Sequence, residues 1–155
     1  MTEQLLREIQ QAKPFVNRSE EAFLNLLRSA HSLEQRIGRF LRGYKLSQAQ
    51  YNALRILRGS YPEPLPCKEV GARMVTPMPD VTRLLDRLES RSLVARSRSE
   101  EDRRVVEASI TEKGLDLLAE IDQPIAAWMT SSLGHLGPDL DRLIRLLERA
   151  RKAPG

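Results

Sequence analysis

VGARMVTPMPDVTRLLDRLESRSLVARSRSEEDRRVVEASIT, residues 70 to 111, changes its hydrophobic period once and abruptly. Val81, Leu84, Leu85 and Leu88 recur at helical spacing. From Leu93 the pattern becomes that of strands: Leu93-Val94-Ala95, a polar tip over Ser99 to Arg104, then Val105-Val106-Glu107-Ala108-Ser109-Ile110. A helix that shows arginines to solvent, followed by a hairpin with a basic tip, has a physical use. It can lay one element in the major groove of DNA and the other on the backbone or minor groove beside it. The pattern therefore predicts a winged helix-turn-helix.

Upstream, Cys67 to Met74 is expected as the first helix of that motif. Thr76 is the expected N-cap of the recognition helix, with Pro77 at its first position, where a missing N–H costs nothing, and Pro79 tolerated in the first turn. The recognition helix should end near Arg91-Ser92. Ser60 to Pro66 holds three prolines and reads as a loop. Ser47 should cap a helix with Tyr51, Leu54 and Leu57 on one buried face. Before it, a long helix capped by Asn17 or Ser19 runs to about Arg42 and is ended by Gly43, with an apolar stripe that includes Phe23, Leu26, Leu27, Leu33 and Leu41. Residues 2 to 12 form a short amphipathic helix stopped before Pro14. Downstream, Thr111 should cap a helix toward Met129 that Pro124 kinks or splits, and a last helix carries Leu140, Leu143, Ile144 and Leu147.

With 155 residues, 41% hydrophobic and 30% charged, the chain is expected to be one soluble domain spanning 1–155. The fold class is mainly α with a small β-hairpin wing (α+β). Residues 46–112 form the winged helix-turn-helix lobe, and the terminal helices, 1–45 and 115–155, form a dimerisation bundle. Two leucine stripes from opposite ends of the chain could pack on each other within one protomer; a two-chain bundle would also give a lone reading head its two-fold partner. The net charge of +4 suits a polyanion such as double-stranded DNA without requiring one. Cys67 is the only cysteine, which excludes an internal disulfide and suits a reducing compartment. No apolar run approaches the roughly 18 residues that span a bilayer and no signal peptide is evident, so the expected place is the cytoplasm and no membrane partner is expected. His31 and His135 lack partners at metal spacing, and no nucleophile motif or Gly-rich phosphate loop is present. No metal, no cofactor and no enzymatic activity are expected.

The candidate DNA-contacting residues on the recognition helix are Met78, Pro79, Asp80, Thr82, Arg83 and Arg87. Arg83 and Arg87 share a face, four residues apart. Arg83 can read guanine, Asp80 cytosine, and Thr82 a phosphate or a thymine methyl, with Arg87 a turn further on for phosphate. The competing reading of Arg83 is a surface ion pair with Asp80 or Asp86. On the hairpin tip the candidates are Asp102, Arg103 and Arg104, where the competing reading is a solvated loop; Glu100 and Glu101 temper the charge. Lys68, Arg73 and Ser47 could add phosphate contacts.

The residues LSQAQYNALRIL (46–57), VTRLLDRLESRSLV (81–94) and above all EEDRRVVEASITEKG (100–114) resemble the MarR family of bacterial transcription regulators. The third segment is similar to the family's wing signature, Asp-x-Arg followed by a strand and then Leu/Ile-Thr-x-x-Gly. The resemblance implies a homodimer that binds operator DNA and often releases it to a small ligand. It implies that Arg104 enters the minor groove, where a planar, permanently charged guanidinium is favoured. Asp102 would orient an arginine or tighten the tip. Ser92 departs from the family, which usually has glycine there in a left-handed backbone. An effector pocket would draw on residues 23–42 and 46–57, with His31, Arg39 and Tyr51 as candidates, although core packing accounts for Tyr51 equally well. Cysteine-based sensing is not expected, since such family members use a cysteine in the first long helix. The expected function is a sequence-specific regulator, a homodimeric repressor of a palindromic operator released by a small-molecule effector. The alternative is a winged-helix adaptor for proteins that binds no DNA.

Overall fold

Among the described residues, three helices end in the same left-handed cap, and none of the three uses glycine for it. The computed structural model describes residues 4–152, which fall into two units that divide between Ala53 and Leu54. In the first unit α1 spans Gln4–Glu8 and α2 spans Arg18–Arg42. The expected helix over 2–12 is thus shorter: it stops at Glu8, and residues 2 and 3 lie outside the described ones. Gln10, at φ 54°, turns the chain, so Gln11 N–H reaches back to the Leu6 carbonyl at 3.0 Å. Asn17 is the cap of α2, its side chain accepting from the Glu20 amide at 2.9 Å. At the other end Gly43 remains helical, at φ −57°, and Lys45 takes the left-handed conformation at φ 56°. The expected stop at Gly43 is corrected by two residues, because the Leu46 amide closes on the Leu41 carbonyl at 3.1 Å and both leucines are buried. Along α2 the apolar stripe is mostly open: Phe23, Leu26 and Leu27 are exposed.

Helix α3, Gln48–Ser60, contains the division between the units. Its start is a reciprocal capping box: Ser47 Oγ accepts from the Gln50 amide at 3.1 Å, and Gln50 Oε1 accepts from the Ser47 amide at 2.9 Å. Tyr51, Leu54 and Leu57 are buried, as their spacing predicts.

The second unit continues with β1 (Leu65–Pro66), α4 (Cys67–Arg73), α5 (Thr82–Glu89), β2 (Val94–Arg98), β3 (Val106–Ile110), α6 (Glu112–Leu133) and α7 (Asp139–Arg151). The segment expected as a loop therefore ends in a strand. The sheet order is β1-β3-β2, all antiparallel, with Leu65 opposite Ala108 and Val94 opposite Ile110. Pro66 fits because β1 is an edge, where a missing N–H breaks no inner ladder. Helix α5 packs on β2, and α4 packs on β1 and β3. Val70, Val81, Leu85, Leu88, Leu93, Val94, Ala108 and Ile110 are buried, which is the two-period pattern of residues 70–111 realised in space. Pro124 lies inside α6 without splitting it. Leu118, Ile121 and Ile125 are buried on both sides of the proline, and that burial outweighs the single backbone hydrogen bond it removes.

Candidate nucleic-acid interface

Helix α5 begins five residues later than its proline pattern suggests. The expected cap at Thr76 is not formed: Val75 to Val81 is a turn, and the helix starts at Thr82. Thr76 and Met78 each precede a proline, which biases both away from helical backbone. The turn is held by the Met78 amide, which donates to the Gly71 carbonyl at 3.2 Å. Met78, Pro79 and Asp80 consequently lie before the recognition helix rather than on it, Met78 half-buried and the other two exposed. Asp80 closes the turn, accepting from the Thr82 amide at 2.8 Å. Hydrogen bonding from the Thr82 side chain and amide, aided by the nearby Arg83 charge, holds the Asp80 carboxyl below its ordinary value.

Thr82, Arg83 and Arg87 are exposed on α5, while Leu85 and Leu88 are buried on its other side. Asp86, one of the two acids that could have paired with Arg83, is taken by Arg96. The helix ends with Ser92 at φ 57°, in the left-handed conformation the family's glycine would occupy. Leu93 N–H then bonds the Leu88 carbonyl at 3.0 Å, the 6→1 bond of this cap. Thr111 locks the same corner. Its hydroxyl donates to the Ser92 carbonyl at 2.7 Å and accepts from the Gly114 amide at 3.1 Å, which caps α6.

On the wing, the Ser99 amide donates to the Val105 carbonyl at 2.9 Å, and the Val105 amide to the Asp102 carbonyl at 2.9 Å. Asp102 Oδ1 accepts from the Arg104 amide at 2.9 Å. The carboxylate thus tightens the tip, so its presence among arginines has a local cause. Arg103 and Arg104 are exposed, and among the described residues neither guanidinium is held in an ion pair.

Two arginines of β2 were missed by sequence reading. Arg96, 20% exposed in its side chain, binds two acids of α5: Nη2 lies 2.5 Å from Asp86 Oδ1 and 2.6 Å from Glu89 Oε2, and Nε lies 3.0 Å from Glu89 Oε2. Its amide donates to Glu89 Oε1 at 3.1 Å, so the outer edge of β2 is tied to the helix at Arg96. Hydrogen bonding to Arg96 holds the Glu89 carboxyl below its ordinary value. Arg98, two residues on and so on the same strand face, donates from Nη1 to the Arg103 carbonyl at 2.7 Å. The available signal was the pair of acids three apart on α5 facing a strand arginine, but nothing in one dimension says that strand and helix meet.

The remaining candidates are scattered. Lys68 is exposed, whereas Arg73 pairs with Glu69 on α4. His31 and Arg39 are exposed on α2, with His31 Nε2 2.8 Å from Gln35 Nε2, and Tyr51 is buried. A groove of about 290 Å³ is lined by Lys68, Gly71, Ala72, Pro77, Met78 and Pro79 and includes none of those three. Burial pushes the Cys67 thiol up, away from the reactive thiolate. Among the described residues no three His, Cys, Asp or Glu side chains gather as a metal site, and no helix is long and apolar enough to cross a membrane.

The profile of the MarR family matches residues 46–106. The HTH-type transcriptional regulator MhqR of Bacillus subtilis (strain 168) is 30% identical over 117 residues, covering 70% of this chain and 79% of that protein. Among solved structures, a MarR transcription factor from Planctomyces limnophilus is 40% identical, with a TM-score of 0.69 over 87% of this chain and 98% of that one. MepR of S. aureus, solved in complex with DNA, shares the fold at 18% identity, with a TM-score of 0.70 over 83% of this chain and 96% of its own.

Proposed function

The chain belongs to the MarR family of DNA-binding transcription regulators, which are not enzymes, and we propose that it acts as a homodimeric repressor of an inverted-repeat operator. One observation carries this reading. An exposed arginine pair on α5 and an exposed arginine tip on the wing belong to one locked unit, with Asp80, Asp86, Glu89 and Asp102 turned to structural use. Arg83 reads a guanine edge in the major groove, Thr82 and Arg87 hold phosphate, and Arg104 enters the minor groove with Arg103 beside it. Asp80 and Asp102 serve by shaping the turn and the tip, and Met78 and Pro79 bring the turn against the backbone.

The dimer is supported by apolar side chains that a single protomer leaves open: Phe23, Leu26 and Leu27 on α2, and Ile144 and Leu146 on α7. Residues 1–45 and 115–155 form the two-chain bundle and 46–112 the DNA-binding lobe of one domain. A repressor of this kind works in the cytoplasm. Support for release by a small-molecule effector comes from the family resemblance, with His31, Arg39 and Tyr51 as the residues to probe.

Selection of bound fragments from genomic DNA by the purified protein tests the reading. Enrichment of an inverted repeat with half-sites about one helical turn apart is expected. If no sequence is enriched over input, the proposal is wrong and a protein-binding adaptor becomes the better account.

A further inference from the structure

We propose that Arg96 is a positioning residue: by clamping Asp86 and Glu89 to β2, it sets the spacing between the recognition helix and the wing tip and thereby the discrimination between operator and other DNA. This rests on the assignment of Arg83 and Arg104 as the two DNA-reading side chains.

The geometry of the clamp is specific. Four hydrogen bonds, from the amide, from Nε and two from Nη2, converge from one strand residue onto two carboxylates of one helix. Asp86 and Glu89 are three apart and flank β2, which leaves Thr82, Arg83 and Arg87 facing solvent. A planar guanidinium that engages two carboxylates fixes direction as well as distance, which a lysine ammonium does not. On the strand side, Arg96 and Arg98 lie on one face, and Arg98 grips the Arg103 carbonyl beside Arg104. A continuous polar line therefore runs from the flank of α5, along one face of β2, to the tip. The two ends of this line adjoin the two groups that must fall into adjacent grooves together, Arg83 on α5 and Arg104 on the tip.

Such a device has a distinct signature. Phosphate attraction depends on total charge and survives small errors of placement, whereas simultaneous engagement of two grooves does not. Loosening the clamp should lower affinity for the specific site and leave non-specific affinity nearly unchanged. A merely structural loss would lower the active fraction and affect both duplexes alike.

The test compares two probes by fluorescence anisotropy at fixed salt: a duplex recovered by selection with the parent protein, and a scrambled duplex of equal length and composition. Arg96→Met keeps the apolar stem and removes the clamp. It should reduce the ratio of specific to scrambled affinity by about tenfold, the scale of one misplaced base contact. Arg96→Lys should fall between. The clamp opened from the helix side, Asp86→Asn with Glu89→Gln, should match Arg96→Met, so a folding failure of one variant leaves the other to decide. A parental ratio in both sets of variants overturns the inference while the interface stands. Parental ratios in Arg83→Ala and Arg104→Ala would overturn the interface assignment and the inference with it.

Discussion

Gly71 and Met78 meet backbone to backbone: the Met78 amide donates to the Gly71 carbonyl at 3.2 Å, and the Met78 carbonyl lies where a β-carbon on Gly71 would stand. Val81 Cγ1 approaches the same point at 3.0 Å. The turn between α4 and α5 is therefore built on the absence of one methyl group.

Gly71→Ala should accordingly destabilise the protein by about 1–3 kcal/mol, the range for overpacking a closed site. Urea unfolding followed by circular dichroism reads this directly. An unchanged midpoint would mean that the turn yields freely and does not position α5.

Arg104→Ala is expected to weaken binding to the selected operator by about 1–3 kcal/mol, roughly five- to 150-fold, and to flatten the dependence of affinity on salt by about one counterion. Arg83→Ala should have a similar cost but also relax the preference at one base pair. Anisotropy titrations across a salt series measure both quantities. Parental affinity in the Arg104 variant would remove the wing from the interface.

Asp122 predicts a pH dependence. Arg58 Nη1 and Nη2 lie 2.8 and 2.9 Å from its two oxygens, and these hydrogen bonds hold the carboxyl below its ordinary value. The folded state thus binds this proton more weakly than the unfolded chain, whose carboxyl titrates near about 3.9. The pair stabilises fully above that value and loses its contribution as pH falls through the depressed folded value. Both side chains are substantially exposed, so the effect is below about 1 kcal/mol. Asp122→Asn should lower stability slightly at neutral pH and converge with the parent in acid. A constant difference across that range would contradict the assignment.

Leu27→Glu on α2 and Ile144→Glu on α7 place charge at positions 54% and 52% exposed in the protomer, so each chain should still fold. Sedimentation analysis should show dissociation, because a buried carboxylate at a dimer core costs several kcal/mol. Operator affinity should fall as the dimer is lost. If both variants sediment as the parent does, those helices do not form the dimer contact.

Much of this protein follows from local patterns. The spacing of Val81, Leu84, Leu85 and Leu88, then of the strand residues to Ile110, determined a helix followed by a hairpin, because periods of 3.6 and 2 leave different apolar faces. The caps at Ser47 and Thr111 were legible, and Asn17 was one of two candidates with Ser19, because each answers to groups within three residues. Asp-x-Arg at 102–104 located the wing tip for the same reason.

Only the tertiary structure decided where α5 begins, that Leu65 and Pro66 join the sheet, and that Lys45 rather than Gly43 takes the left-handed turn. Each of these depends on a partner remote in sequence or on competition between neighbouring residues that propensity cannot rank. The clamp of Arg96 on Asp86 and Glu89 is of the same kind. It exists because a strand edge and a helix flank are brought together by the burial of Leu85, Leu88 and Val94, and nothing in the order of residues states that contact.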